Sequence, residues 1–430
     1  MGPTRQYSPD LAGGLYLYAD RSACGSVARF VVSLTMHVKG DVLEQAVNDV
    51  LVLFPHIPVR VSREGEQYVF GKNTARVPVC GESESARRSP GEESAGGYLF
   101  TVSFSGKTVY FDIHMSLFDE KGMAAFAKAV VFRYVQLAGF PVENDGSVRA
   151  LPDGGSHVST DDPLDMIADI PASRPAWYMD AKAFVRPATP GSDMVHAVQL
   201  RIPLSRLRSH AKEFAGSPVT FIAPIVSQSI CEMYGSEMQP GEYVVAAISV
   251  NLRQYFPTVS LRPFNTLVSL AYNRRINEYP FNTILMSQKK LLEAQLKTDA
   301  LAYNAQRKAA AMEDVYCGRT YADKVARAEK AVADKAAKST YVIHSAGNIG
   351  MPESLDRYVT EFYPLYVPGL HDMVLSCITF RNEILLTVAG RDSGRTDLIC
   401  RRIAGLMNEN EIYAYISDGF DFSPATYRRP

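Results

Sequence analysis

The chain has 430 residues, 47% hydrophobic and 21% charged, which is the mixture of an ordinary globular protein of about two to three domains. Lys and Arg total 45 and Asp and Glu 46, a net charge of −1, which excludes a surface built to hold nucleic acid or anionic membrane by bulk charge. No apolar run reaches the ~18 residues of a membrane span, Met1–Gln6 holds no signal core, and Gln6 breaks the myristoylation pattern. The expectation is a soluble, cytoplasmic protein. Its 6 cysteines never fall at a C-x-x-C spacing and its 8 histidines are dispersed, so reduced thiols and no metal site are expected. There is no Walker loop, no G-x-G-x-x-G after a strand, and no G-x-S-x-G elbow. Gly390-Arg391-Asp392-Ser393-Gly394 comes nearest to an elbow, but its serine is one place late and reads as a turn.

In chain order, the first strong element is a helix over Asp41–Leu51, with Leu43, Ala46, Val47 and Val50 on one stripe and Asp41 and Glu44 spaced as a capping box. Phe54-Pro55-His56-Ile57-Pro58 stops it. Strands follow at Val59–Val61 and Gln67–Phe70 around Gly65, then an exposed loop over Gly81–Gly97. Tyr98–Ser105 and Thr108–Ile113 form a hairpin tipped by Gly106-Lys107. A second helix carries Met123, Phe126, Val130, Tyr134 and Leu137 on one face. From Gly139 to about Asp193 the chain turns to Pro, Gly, Asp and Ser and reads as a connector, with Trp177 as an anchor.

Beyond the connector come a strand at Val195–Ile202 and a helix facing inward through Leu204, Leu207, Ala211 and Phe214. Another helix opens at Ser217-Pro218, and Tyr243–Leu252 is an apolar strand covered on both faces. Thr283–Ala336 is helical with a break near Cys317-Gly318, and the mixed charges of its Ala322–Lys338 tail mark a solvated face. Strands at Tyr341–Ser345, Met373–Phe380 and Ile384–Ala389 precede a last helix around Ile399, Ile403, Leu406 and Asn410. The fold class is mixed α/β in two comparable halves, 1–180 and 194–430, without the regular alternation of a doubly wound sheet.

One segment carries chemistry: Phe111-Asp112-Ile113-His114-Met115-Ser116-Leu117-Phe118-Asp119-Glu120-Lys121-Gly122. A strand ends, a His and an Asp lie in the turn, and a long helix begins. This resembles the H-H-x-x-x-D-G turn of the chloramphenicol-acetyltransferase-like superfamily, which includes condensation domains and alcohol acetyltransferases. The alcohol-acetyltransferase branch agrees most closely. Its early helix and "F-P" resemble the Asp41 helix and Phe54-Pro55. Its "V-N-L-R", "L-R-N-F" and "S-N-L-G…P" segments resemble Val250-Asn251-Leu252-Arg253, Leu261-Arg262-Pro263-Phe264, and Asn348-Ile349-Gly350 with Pro352. The resemblance implies a pseudo-dimer of two sandwich halves with a tunnel between them. It also implies an acyl-CoA or acyl-carrier thioester as donor, an alcohol as acceptor, and no bound cofactor or metal.

In that family the second His of the motif removes the acceptor's proton, because an imidazole titrates near neutrality and works in both directions. Here that position is Met115, His114 occupies the first His position, and Glu120 replaces the motif glycine. A bulge could turn His114 into the tunnel, although strand alternation sends His114 and Met115 to opposite sides. Otherwise His344 or Glu120 would take over. Two functions therefore stand: an acyl-CoA-dependent O-acyltransferase with impaired catalysis, or an inactive homologue that binds ligand or serves as a scaffold. The resemblance makes Asp119 a turn-fixing residue, with Arg253 or Arg262 as partner. Asn251 and Arg253 either line the channel or cap a strand. Asn348 and Gly350 either admit a pantetheine-like arm or make a simple turn. The family's second motif, D-F-G-W-G, has no counterpart.

Overall fold

The computed structural model describes residues 8–19, 25–83, 88–151, 161–174, 181–187, 194–210 and 218–427. The first half holds α1 (Leu11–Tyr18), β1 (Val27–Leu34), α2 (Gly40–Val50), β2 (Val59–Glu64), β3 (Gln67–Lys72), β4 (Val79–Gly81), β5 (Phe100–Ser105), β6 (Thr108–His114) and α3 (Glu120–Leu137). Antiparallel β5 and β6 form the expected hairpin, and Gly106 at its tip takes φ +57, which favours glycine. The apolar stripes of α2 and α3 pack together beside this sheet. Phe54, at the exit of α2, lies edge-on to Phe126 of α3 with centroids 5.3 Å apart, and Phe126 also meets Phe100 and Phe118. Removing such a buried ring costs about 3–5 kcal/mol, so this cluster fixes where α3 begins.

The connector contributes β7 (Lys182–Ala183), and the second half continues through β8 (Val195–Pro203), α4 (Pro218–Tyr234), β9 (Glu242–Asn251) and β10 (Asn265–Tyr272). Then come α5 (Phe281–Gln295), α6 (Thr298–Tyr316), α7 (Tyr321–Ala336), β11 (Tyr341–Asn348), α8 (Glu353–Asp356) and β12 (Val359–Leu365). Last are β13 (Met373–Phe380), β14 (Glu383–Gly390), α9 (Ser393–Glu409), β15 (Tyr415–Ile416) and β16 (Phe420–Phe422). The large sheet runs β10-β9-β11-β13-β14-β8-β15, with β7 beside β9 and β16 beside β8. Central β9 is buried on both faces, as its apolar run requires. Asp392 caps α9 through its side chain, so the elbow-like Gly390–Gly394 is a helix start.

The halves interlock. The first sheet runs β12-β1-β6-β5-β4, so its edge strand β12 comes from the second half of the chain. In return α1 packs on α6 and α7, and Leu164 and Ile167 of the connector join the second core. The sequence division at 180 and 194 therefore does not follow the sheets strictly.

Other expectations need correction. Lys39, not Asp41, stands at the start of α2 and gives no side-chain cap. Glu44 pairs instead with Arg76 (2.6 Å) and accepts the Val79 amide, because long-range partners outcompete the capping box. The 81–97 segment holds buried Pro90, Ala95 and Gly97 among its described residues, so it is not simply exposed. A second break at Leu296–Lys297 separates α5 from α6. Leu204–His210 is a 3-10 turn, whereas Ala211, Phe214 and Trp177 lie outside the described residues. Among the described residues no helix is long and apolar enough to cross a membrane.

Candidate functional site

The Met115 amide still bonds the Ser26 carbonyl in register with β1, and β6 ends as the Leu117 amide closes a turn on the His114 carbonyl. Asp119 then caps α3: its Oδ1 accepts the Gly122 amide at 2.9 Å. Its Oδ2 accepts the Phe264 amide (2.9 Å) and is ion-paired with Arg253. The Arg253 guanidinium also donates to the Ser260 (2.7 Å) and Arg262 (2.6 Å) carbonyls. Asp119 belongs to the turn after β6 and Arg253 to the turn after β9, so this latch draws the ends of two strands from different sheets to one place. Of the two arginines considered for Asp119, Arg253 is the partner. Arg262 instead lies 3.5 Å from Asp10, whose carboxyl is pushed up to about 7 by burial and by Asp162. Asn251 caps the turn after β9, its side-chain oxygen accepting the Arg253 amide at 2.9 Å.

Gly122 permits the close approach. A Cβ there would meet the Leu261 carbonyl oxygen at 2.6 Å and the Phe118 ring at 2.6 Å. Gly122, two residues after Glu120, therefore lies where backbone from the second half crosses α3.

His114 is fully enclosed. Its Nδ1 lies 2.7 Å from the Ser116 hydroxyl, and its ring packs against Tyr427 at 4.6 Å. Met115 is buried within the first core. The side chains at both motif positions are thus engaged with protein, and the bulge that would open His114 to a channel is absent from the continuous β6 register.

Glu120 and His344 come together although 224 residues separate them. His344 Nδ1 lies 2.8 Å from Glu120 Oε1, and the other carboxylate oxygen accepts the Asn265 side-chain amide at 2.9 Å. Asn265 is itself held by the Ser249 hydroxyl (3.2 Å) and the Lys308 ammonium (2.9 Å). Burial alone would raise the Glu120 carboxyl, but the hydrogen bond from His344 leads the contacts that outweigh it and hold the group at about 2. Burial lowers the Lys308 ammonium, against the pull of Glu120. The Tyr366 ring stacks on His344 at 4.0 Å, and burial followed by the Glu120 charge drives its phenol well above the usual range. Sequence reasoning named His344 and Glu120 as separate substitutes; it had no signal that they would pair, and it missed Asn265, Lys308 and Tyr366.

The β11 end is open. A Cβ at Gly347 or Gly350 would meet nothing within 4 Å, and Asn348 is exposed. The Gly350 carbonyl accepts the Lys128 ammonium of α3 at 2.8 Å, a second tie between halves.

Neither a family model nor a curated protein matches the sequence. Among solved structures the chain is similar to polyketide synthase associated protein 5 from Mycobacterium tuberculosis, with a TM-score of 0.63 and 12% identity over 96% of this chain and 99% of that one. The condensation domain of the Monacolin K polyketide synthase MokA gives 0.60 and 13% over 95% and 99%. F. sporotrichioides TRI101, solved with coenzyme A and T-2, gives 0.59 and 12% over 95% and 98%. The chain shares the fold of these proteins over nearly its whole length. Fold alone fixes neither substrate nor turnover, and the residues of the site must carry the rest.

Proposed function

We propose that this is an acyltransferase-like protein that takes an acyl thioester, from coenzyme A or an acyl carrier, between its halves for transfer to an alcohol, with the motif base position out of use. The observation that carries the reading is the Asp119–Arg253–Phe264 latch, which keeps the motif turn at the junction while His114 and Met115 are buried. The open β11 end at Gly347–Gly350 supports entry of a slender pantetheine-like arm, and structural neighbours solved with coenzyme A support the donor class. No bound cofactor is part of this reading. The second reading, a thioester-binding protein without turnover, is favoured by Met115, since a thioether offers no useful proton acceptor at the motif position.

The test pairs binding with turnover. Isothermal titration with octanoyl-CoA should show saturable binding, and free-thiol release should be measured with 3-methyl-1-butanol as acceptor. His114→Ala and Met115→Leu should leave both unchanged. Loss of turnover in His114→Ala with binding intact would make His114 the base. Absence of octanoyl-CoA binding would refute the proposal.

A further inference from the structure

Resting on that reading, we infer that His344, oriented by Glu120, is the general base of acyl transfer, so that the base has moved from the end of β6 to strand β11 of the opposite sheet. Three contacts fix the His344 ring. Glu120 Oε1 holds Nδ1 at 2.8 Å, Tyr366 stacks on its face at 4.0 Å with planes 15° apart, and β11 pairs through this residue with Ser376 of β13. The carboxylate only accepts, so Nδ1 carries the proton and Nε2 presents its lone pair, the tautomer a base requires. Among the described residues Nε2 has no hydrogen-bond partner, and the side chain keeps 17% of its surface accessible. Asn265 donates to the other Glu120 oxygen and is itself bonded to Ser249 and Lys308, so the carboxylate is held on both sides.

The other described histidines lack this combination. Burial and neighbouring arginines push His56 down to about 3, and burial and Lys335 push His371 down to about 4. His196 is bonded through both ring nitrogens to Asp397 and Asp421, His210 is bonded through both to Asn282 and the Asn410 carbonyl, and His114 is enclosed. Exposed His37 has no carboxylate bonded to its ring among the described residues. The two departures from the motif, methionine for histidine and glutamate for glycine, then become one change. The first removes a base, and the second supplies the carboxylate that orients another.

In the proposed step Nε2 takes the hydroxyl proton of a primary or secondary alcohol as its oxygen bonds to the thioester carbonyl carbon. The tetrahedral intermediate collapses, the C–S bond breaks, and the departing sulfur receives the same proton from Nε2. Ester and free thiol result, and His344 returns to its starting form. Glu120 is the positioning residue.

The experiment measures ester and free thiol from octanoyl-CoA and 3-methyl-1-butanol, with octanoyl-CoA binding in parallel. Relative to wild type, His344→Ala should lower kcat by about 10²-fold or more with binding within threefold, and imidazole in the buffer should restore part of the rate. Glu120→Gln should lower kcat by about tenfold or more with little change in binding. Several results would overturn the inference while leaving thioester binding in place. They are a wild type that binds octanoyl-CoA without transfer, a fully active His344→Ala, or a loss in His344→Ala that imidazole does not rescue. A wild type that fails to bind octanoyl-CoA would overturn the proposed function itself, and this inference with it.

Discussion

Replacing Asp119 with alanine should weaken the protein more than it weakens ligand binding. The side chain is wholly buried and accepts three contacts: the Gly122 amide that starts α3, the Phe264 amide, and the Arg253 guanidinium. Deleting it leaves Arg253, 12% accessible, with a charge balanced only by two carbonyls. Breaking a buried pair costs about 3–5 kcal/mol, and losing a helix cap is worth about 1 kcal/mol of such a change. At about 2.1 cal/mol/K per residue, a chain of this length that unfolds cooperatively has an unfolding entropy near ~0.9 kcal/mol/K, so a ~4 kcal/mol loss lowers Tm by about 4 °C. Differential scanning calorimetry of Asp119→Ala, Arg253→Ala and the double variant supplies the cycle. The double variant should lose clearly less than the sum of the singles, because each removes the same contact. A Tm shift of Asp119→Ala under about 1 °C, or full additivity, would refute the latch.

Three further outcomes follow from the geometry. Gly122→Ala places a Cβ 2.6 Å from the Leu261 carbonyl oxygen and should cost about 1–3 kcal/mol, read as a lower urea midpoint at unchanged slope. The Glu120 carboxyl sits at about 2 in the folded state against an ordinary 4.5, so its stabilisation is present above about pH 4.5 and lost as pH falls toward 2. Urea unfolding at pH 6 and pH 3 should therefore show a fall of about 2 kcal/mol from this group in wild type and a shallower fall in Glu120→Gln. His114→Ala and Met115→Leu should both match wild type in thiol release, as followed with octanoyl-CoA and 3-methyl-1-butanol.

Much of the fold was legible because local chemistry and tertiary demand agree. The Gly106 turn, the double-sided burial of β9 and the stripe of α3 each state their structure in a few residues. Elements escaped where the two diverge. Edge strand β12 contains Pro364, which marks a break in most strands and is tolerated here only at a sheet edge. β10 alternates in burial, yet its sequence, Asn265-Thr266-Leu267-Val268-Ser269-Leu270, mixes polar and apolar residues on both faces. The site divided the same way. Asp119 stood out by its place before a helix, and its partner was narrowed to two arginines. The Glu120–His344 pair has no local signal at all, because a contact across 224 residues depends on how two sheets meet.

A crystal structure with a non-hydrolysable 2-oxoalkyl thioether analogue of octanoyl-CoA, which keeps a carbonyl, tests the central claim most directly. The account predicts the pantetheine arm entering past Gly347–Gly350, with the carbonyl between the halves on the side faced by His344 and with His114 still enclosed. An analogue bound elsewhere on the surface, or a carbonyl resting against an opened His114, would contradict it.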